Sequence, residues 1–575
     1  MATQADVIFR GGAIYTADRS GRRLVRAAAA DGSPATEVAV TSGVIAAVGS
    51  TSDGAAAGLA GSRTERVDLR GRALLPGFQD AHVHPAFAGV AMVSCNLIGS
   101  ATLDEAIRRI EAYVAAHPDK EWISGSGWRM EWFERGTPSR HLLDRLTGGR
   151  PAFLLNRDGH GGWANTRAIE LAGFDARTPD PPDGRFEREP DGGLQGTAHE
   201  GAADLLGAFV PEPTFDERLA GLLLAQQHLH ARGITGWQDA IVGSYLGSQD
   251  PLPVYLAAAR SGQLTARVRG ALWWDRSRGA GQIDEILGRR EAGRAGRFRA
   301  DTVKIMQDGV AENGTAGLLD PYLDACGCQT SRRGLSHVDP LELREYVTAL
   351  DRLGFQVHFH AIGDRAVREC LDAVAAARAV NAASGQDGSD NRHHIAHVQL
   401  VHPDDVPRFA ALRVTANMQA LWAAHEPQMD ELTIPFLGPE RAARQYVFGD
   451  LARAGARLAA GSDWAVSSAS PLRAVHVAVN RALAWPAGAQ LRSASQAFLP
   501  GQALSLAEAL AAYTTGSAYV NHLDDVTGWI EPGKAADLVV LDRDPFSGPA
   551  AEIAHTSVLA TYVDGVPVWT ARALR

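Results

Sequence analysis

Two histidines separated by one residue stand in Gly77-Phe78-Gln79-Asp80-Ala81-His82-Val83-His84-Pro85, just after the apolar run Ala73-Leu74-Leu75. Alternate side chains of an extended strand share a face, so Asp80, His82 and His84 are expected to point the same way. Two imidazoles converging at the end of a strand make half of a metal site. A second His-x-His, His358-Phe359-His360, closes another apolar run and leads into Ala361-Ile362-Gly363-Asp364. His393, His394 and His397 follow, and Leu458-Ala459-Ala460-Gly461-Ser462-Asp463-Trp464 sets an aspartate just past a further apolar run. Taken singly, each has an ordinary account, since a histidine usually just hydrogen-bonds and an aspartate after Gly-Ser usually makes a turn or a helix cap. Repeated at several strand ends, they describe a site for a divalent ion.

Strand ends can meet in this way only if the strands are parallel and close together. Between about Pro76 and Asn521, short apolar runs alternate with Ala/Leu/Arg-rich helical stretches, the pattern of βα units around a parallel sheet. Thr302 to Met306, Phe355 to Phe359 and Arg457 to Ala460 read as strands and Arg365 to Ala379 as a helix. The expected fold is α/β, a (β/α)8 barrel, which places its chemistry at the C-terminal ends of the strands. The stretch from about Cys95 to Thr235 is too long for one βα connection, contains helices at Leu103 to Ala116 and Phe215 to Ala231, and is expected to be an insertion over the mouth. Residues 1–75 read as short β segments: Asp6 to Arg10, Ala13 to Thr16, Glu37 to Thr41, Val44 to Gly49 and Arg66 to Asp68. Residues 522–575 return to that texture, with strands at Ala536 to Leu541 and Ser557 to Tyr562 and a hairpin turn over Val563-Asp564-Gly565-Val566. Both ends are expected to form one small β-sandwich around the 76–521 barrel.

Composition narrows the function classes. The chain has 575 residues, 45% hydrophobic and 21% charged, which suffices for large buried cores. A net charge of −10, without blocks of either sign, argues against nucleic acid or an anionic membrane as a partner. The four cysteines cannot form a disulfide scaffold and fit a reducing cytosol, while Cys326 and Cys328 as a lone Cys-x-Cys are a weak metal signal. No signal peptide is read at the N-terminus and no apolar run reaches a membrane span, so a cytoplasmic protein with a small-molecule substrate is expected. A homodimer is expected only because symmetric dimers are the commonest assembly.

These motifs resemble the amidohydrolase superfamily, specifically its amidohydrolase-3 branch of YtcJ-like and N-substituted formamide deformylase-like proteins. The matching segments are 75–84, Val303-Lys304-Ile305-Met306-Gln307-Asp308-Gly309, 358–366, Gly461-Ser462-Asp463-Trp464 and 529–541, and the resemblance spans nearly the whole chain. It implies that His82, His84 and Asp463 bind one divalent metal, and that His360 and His397 hold a second. Lys304 matches the lysine that is carboxylated in binuclear members to bridge the two ions. As an unmodified residue it would orient substrate or pair with a carboxylate. His358 is the less expected ligand of its pair. Histidine with carboxylate ligands suits zinc, with Mn, Fe, Co and Ni also admissible.

A bound divalent ion activates water and polarises a carbonyl, so the implied reaction is hydrolysis of a C–N bond in a small N-substituted amide, with Asp463 as proton carrier. Asp80 is expected to orient a histidine. Arg157-Asp158-Gly159-His160-Gly161-Gly162-Trp163 resembles the segment that lies over the mouth in this family, which makes His160 and Trp163 candidates for substrate contact. Trp128, Met418, Trp422 and Trp464 are candidate pocket walls. The sequence departs from the family at His394-Ile395-Ala396-His397, where Arg-Ile-Glu-His is usual, and at Gln419-Ala420 and Trp464-Ala465, where prolines are usual. The same site could hydrolyse a cyclic amide, ester or carbamate, or serve a metal-bound, non-catalytic binding protein.

Overall fold

The computed structural model describes residues 4–245, 249–383, 390–484 and 497–572. Its centre is the expected barrel, with eight parallel strands in chain order: β1 Phe78–Val83, β2 Ile234–Val242, β3 Arg267–Trp273, β4 Phe298–Met306, β5 Gln356–Ala361, β6 His394–His397, β7 Thr415–Met418 and β8 Leu458–Ala460. Every residue of β1, β5 and β6 is buried, as strands packed on both faces require. The hydrogen-bonded path ends at β1 and β8, and side chains and loop backbone close the gap. Asp463 N donates to His82 O at 2.8 Å, and Asn417 Nδ2 donates to Ala81 O at 2.9 Å. The seam of the barrel therefore falls where the first histidine pair meets the aspartate.

The chain between β1 and β2 builds its own mixed sheet, in the order Gly184–Arg188, Leu194–Glu200, Gly161–Ala164, Ala152–Asn156, Ile123–Trp128 and Cys95–Asn96. The two chain ends interleave in a six-stranded sheet that runs Val566–Thr570, Val558–Val563, Leu538–Leu541, Ala73–Pro76, Ala13–Ala17 and Leu24–Arg26. It packs against the sheet of Val7–Arg10, Glu37–Thr41, Val44–Gly49 and Glu65–Asp68 through Phe9, Ile14, Val38, Leu74, Leu538 and Tyr562. Positive φ at both Asp564 (48°) and Gly565 (70°) makes the turn between the last two strands the tight kind that Asp-Gly favours. Among the described residues no helix is long and apolar enough to cross a membrane.

His393, next to the strand that carries His397, has a structural task. Its Nδ1 accepts from Val357 N at 3.0 Å and its Nε2 lies 2.9 Å from Asp351 Oδ1. Asp351 also accepts from Asn381 and Asn391 at 2.6 and 2.7 Å. Burial pushes this carboxyl up, but His393 and the two amides outweigh burial and hold it at about 2, against an ordinary 3.8. A carboxylate whose folded pKa is depressed stabilises the fold above its unfolded pKa and loses that contribution as pH falls toward the folded one. Asp351→Asn is therefore expected to lower the urea midpoint equally at pH 7 and pH 5, with the gap narrowing below 3.8. Urea titrations of both proteins across that range check it.

Candidate metal centre

His82 and His84 leave the end of β1 toward the loop after β8, where Asp463 meets them. His84 Nε2 lies 2.9 Å and His82 Nε2 3.3 Å from the same oxygen, Asp463 Oδ1. Among the described residues, His82, His84 and Asp463 form the group of His, Cys, Asp or Glu whose ligand atoms all lie within 4.8 Å of one another. Asp463 has φ 53° and His397 φ 78°, backbone that non-glycine residues adopt only when their surroundings impose it. Burial pushes the Asp463 carboxyl up, but the neighbouring His82 and His84 outweigh burial and hold it well below the usual carboxylate range. Burial pulls the His82 imidazole down to about 3. Metal ligation needs the carboxylate charged and the ligating imidazole nitrogens free of protons.

The other expected ligands surround this group. His397 Nδ1 is 3.9 Å from Asp463 Oδ2 and has no hydrogen-bond partner, and its ring lies 4.4 Å, centroid to centroid, from that of His360. His360 Nε2 donates to Gly309 O at 3.2 Å, which leaves Nδ1 as its acceptor nitrogen. Lys304, at the end of β4, is 2% exposed, its Nζ has no partner, and burial lowers its ammonium to about 7. His358 does not compete as a ligand, because both of its ring nitrogens are engaged, Nε2 with His82 Nδ1 at 2.8 Å and Nδ1 with Gln238 Oε1 at 2.7 Å. Neutral imidazoles, a carboxylate, an unpartnered buried lysine and an unpartnered buried imidazole nitrogen are a donor set that fits a divalent cation.

Several expected residues sit elsewhere. Asp80 orients no histidine, because its carboxylate accepts the backbone N–H groups of His82 at 3.0 Å and Ser462 at 3.1 Å and so clamps the barrel seam. Burial raises it to about 7. Trp128 and Trp163 pack against each other and Phe133 in the core of the inserted sheet, their indole nitrogens donating to Leu154 O and Ser139 O, and neither lines the cavity at this centre. Met418 is core at the end of β7, and Trp464 stacks on His228 at 4.4 Å, 4% exposed. Cys326 and Cys328 are exposed in a loop, where their backbone N–H groups donate to Asp324 Oδ1, and among the described residues they join no cluster of metal-ligating side chains.

Trp422 and His160 do face the site. A cavity of about 490 Å³ runs from His82, His84, Lys304, His360, His397 and Asp463 out through Phe87, Ile98, Trp122, Phe153, Tyr245 and Trp422. The inserted sheet thus supplies much of its apolar wall. Trp422 stacks on His397 with the rings 6° from parallel. His160 Nδ1 is held by Glu200 at 3.0 Å. Burial alone would lower this imidazole, but the Glu200 carboxylate outweighs it and raises the ring to about 9, leaving a cation beside the cavity. Glu200 escaped the sequence reading because no spacing links it to His160, which stands 40 residues earlier.

The amidohydrolase family profile matches residues 65–569, which include every residue of this centre. The chain belongs to the amidohydrolase family. Across 98% of its length this amidohydrolase is 31% identical to "Protein LONG AFTER FAR-RED 3" of Arabidopsis thaliana, covering 91% of that protein. It is 29% identical to the N-substituted formamide deformylase of Arthrobacter pascens, over 94% of this chain and 96% of that one. It is 26% identical to "Putative amidohydrolase YtcJ" of Bacillus subtilis, over 98% and 99% of the two chains. Among solved structures, an uncharacterized metal-dependent hydrolase from Pyrococcus horikoshii shares the fold, with a TM-score of 0.69 at 24% identity, over 95% of this chain and 99% of that one.

Proposed function

We propose that this amidohydrolase is a metal-dependent enzyme that hydrolyses the C–N bond of a small N-substituted amide carrying an apolar, preferably aromatic, substituent. The observation that carries this reading is the convergence of His82, His84 and Asp463 at the C-terminal ends of barrel strands, opening into a cavity walled mainly by apolar side chains. The similarity to the formamide deformylase supports the amide class. Zinc is the ion we assign to His82, His84 and Asp463. When bound it lowers the pKa of water toward about 7 and polarises a carbonyl oxygen.

The protein's own groups do the rest. Asp463 Oδ1 faces both histidines, so Oδ2 is the oxygen that takes the proton of the attacking water and passes it to the leaving nitrogen. His160, fixed through Nδ1 and with its ring 5.5 Å from that of His360, has its other ring nitrogen available to hold the substrate beside the ligand groups. The apolar wall excludes water from the substituent. Lys304 is the residue we assign to carboxylation, in which its neutral amine adds to carbon dioxide and loses a proton, giving a carboxylate between the first ligand group and a second made of His360 and His397. Four unpaired cysteines, two of them exposed, suit the reducing cytosol we propose as its location.

The test is amine release from a panel of N-benzyl and N-alkyl formamides and acetamides, run beside matched esters and lactones. Turnover of the N-benzyl amides, with KM rising as the substituent shrinks, is expected. Hydrolysis of esters or lactones with no amide turnover would overturn the amide reading in favour of the ester or cyclic class.

A further inference from the structure

The protons on the side chains that fill the barrel beneath the metal centre are dictated by backbone groups. Gln356 Nε2 lies 2.8 Å from two carbonyl oxygens, Arg392 O and Val520 O, so the amide nitrogen must be on that side. Its Oε1 then accepts from Thr302 Oγ1 at 2.8 Å and from Gln238 Nε2 at 3.0 Å. This turns the oxygen of Gln238 toward two histidines, His358 Nδ1 at 2.7 Å and His394 Nε2 at 3.0 Å, and both must donate to it. His394 is fixed independently from its other side. Asn417 Nδ2 donates to Ala81 O at 2.9 Å and to His394 Nδ1 at 3.2 Å, so the proton of that ring is on Nε2.

The consequence reaches the site in one more step. With its proton on Nδ1, His358 has a bare Nε2, and His82 Nδ1, 2.8 Å away, must donate to it. With Nδ1 committed as a donor, Nε2 is the ring nitrogen of His82 left to hold a cation. It stands 3.3 Å from Asp463 Oδ1, close enough for one cation to take both. We infer that Gln238 and Gln356 are positioning residues that act through His358 to lock the tautomer of His82 and aim its lone pair at the cation it shares with His84 and Asp463. Hydrogen-bond partners of metal-binding histidines tune metal affinity, and here the partner is a second histidine held by a buried glutamine pair.

The experiment is zinc affinity by competition with a chromogenic chelator for the wild type, Gln238→Leu, Gln238→Glu and His358→Phe, with circular dichroism and thermal melting as controls of folding. Gln238→Leu and His358→Phe are expected to weaken zinc about 10- to 100-fold. Gln238→Glu is expected to stay close to wild type, because a buried carboxyl offers the same acceptor to both histidines and, protonated on its other oxygen, donates to Gln356. Folded Gln238→Leu and His358→Phe proteins that hold zinc like wild type would overturn the relay, as would Gln238→Glu binding as weakly as Gln238→Leu. Nitrogen-15 histidine spectra of zinc-loaded wild type test it without any variant: His82 bound through Nε2 is expected, and binding through Nδ1 overturns it. The inference rests on His82 being a ligand. A wild type that binds no zinc overturns that reading and the relay with it, whereas unchanged zinc affinity in the variants overturns the relay alone.

Discussion

Asp463→Asn is expected to lower kcat by about 10³-fold or more, the upper part of the range for removing a positioned proton carrier. The substitution keeps the size of the side chain and the contact of Oδ1 with His82 and His84, both within 3.3 Å, but an amide neither carries negative charge nor accepts the proton of water. Charge loss also weakens the ligand group, so zinc content is measured beside turnover. If zinc stays bound while kcat collapses, the loss belongs to proton transfer. An Asp463→Asn enzyme that keeps its zinc and most of its kcat would remove Asp463 from the chemistry.

Gly461→Ala is expected to damage the centre without touching a ligand. A Cβ at this position would lie 2.6 Å from His82 Cβ and 2.7 Å from His82 N, distances that backbone and a strand residue cannot absorb in place. The barrel seam must open there, at an overpacking cost of about 1–3 kcal/mol. His82 and Asp463 sit on opposite sides of that seam, joined by Asp463 N donating to His82 O at 2.8 Å. A displacement of about 1 Å between reacting groups can cost about 10²-fold in rate, so loss of that order is expected, with a lower melting temperature and weaker zinc. Wild-type turnover in Gly461→Ala would show that the close approach of the two strands does not hold the site together.

The sequence displayed the parts of this site that lie at or just past the ends of single strands. His82, His84 and Asp463 could be read because each sits where an apolar run ends, and a barrel turns that position into a common point in space. The barrel itself followed from the alternation of runs and helices, and the strands at both chain ends from their turn residues. What depends on the path of the inserted sheet could not be read. Trp128 and Trp163 have the composition of pocket walls but serve that sheet's own core, while Phe87, Ile98 and Phe153 form the wall. Asp80 shares the face of His82, yet its carboxylate is taken by backbone N–H groups across the seam, a partner that appears only when β1 and β8 close. Gln238 and Gln356 did leave a signal. Each is a buried, uncharged polar residue of a barrel strand, and such a residue must find a buried partner.

The central claim is that His82, His84 and Asp463 hold a catalytic divalent ion, and metal content tests it most directly. Elemental mass spectrometry on protein purified without chelator, for wild type beside His82→Ala and Lys304→Ala, is expected to find close to two equivalents in wild type and less in both variants. One equivalent that disappears with His82→Ala and persists with Lys304→Ala would keep the first ligand group and remove the carboxylated bridge. Wild-type protein that carries no metal, even after reconstitution with zinc, would contradict the account.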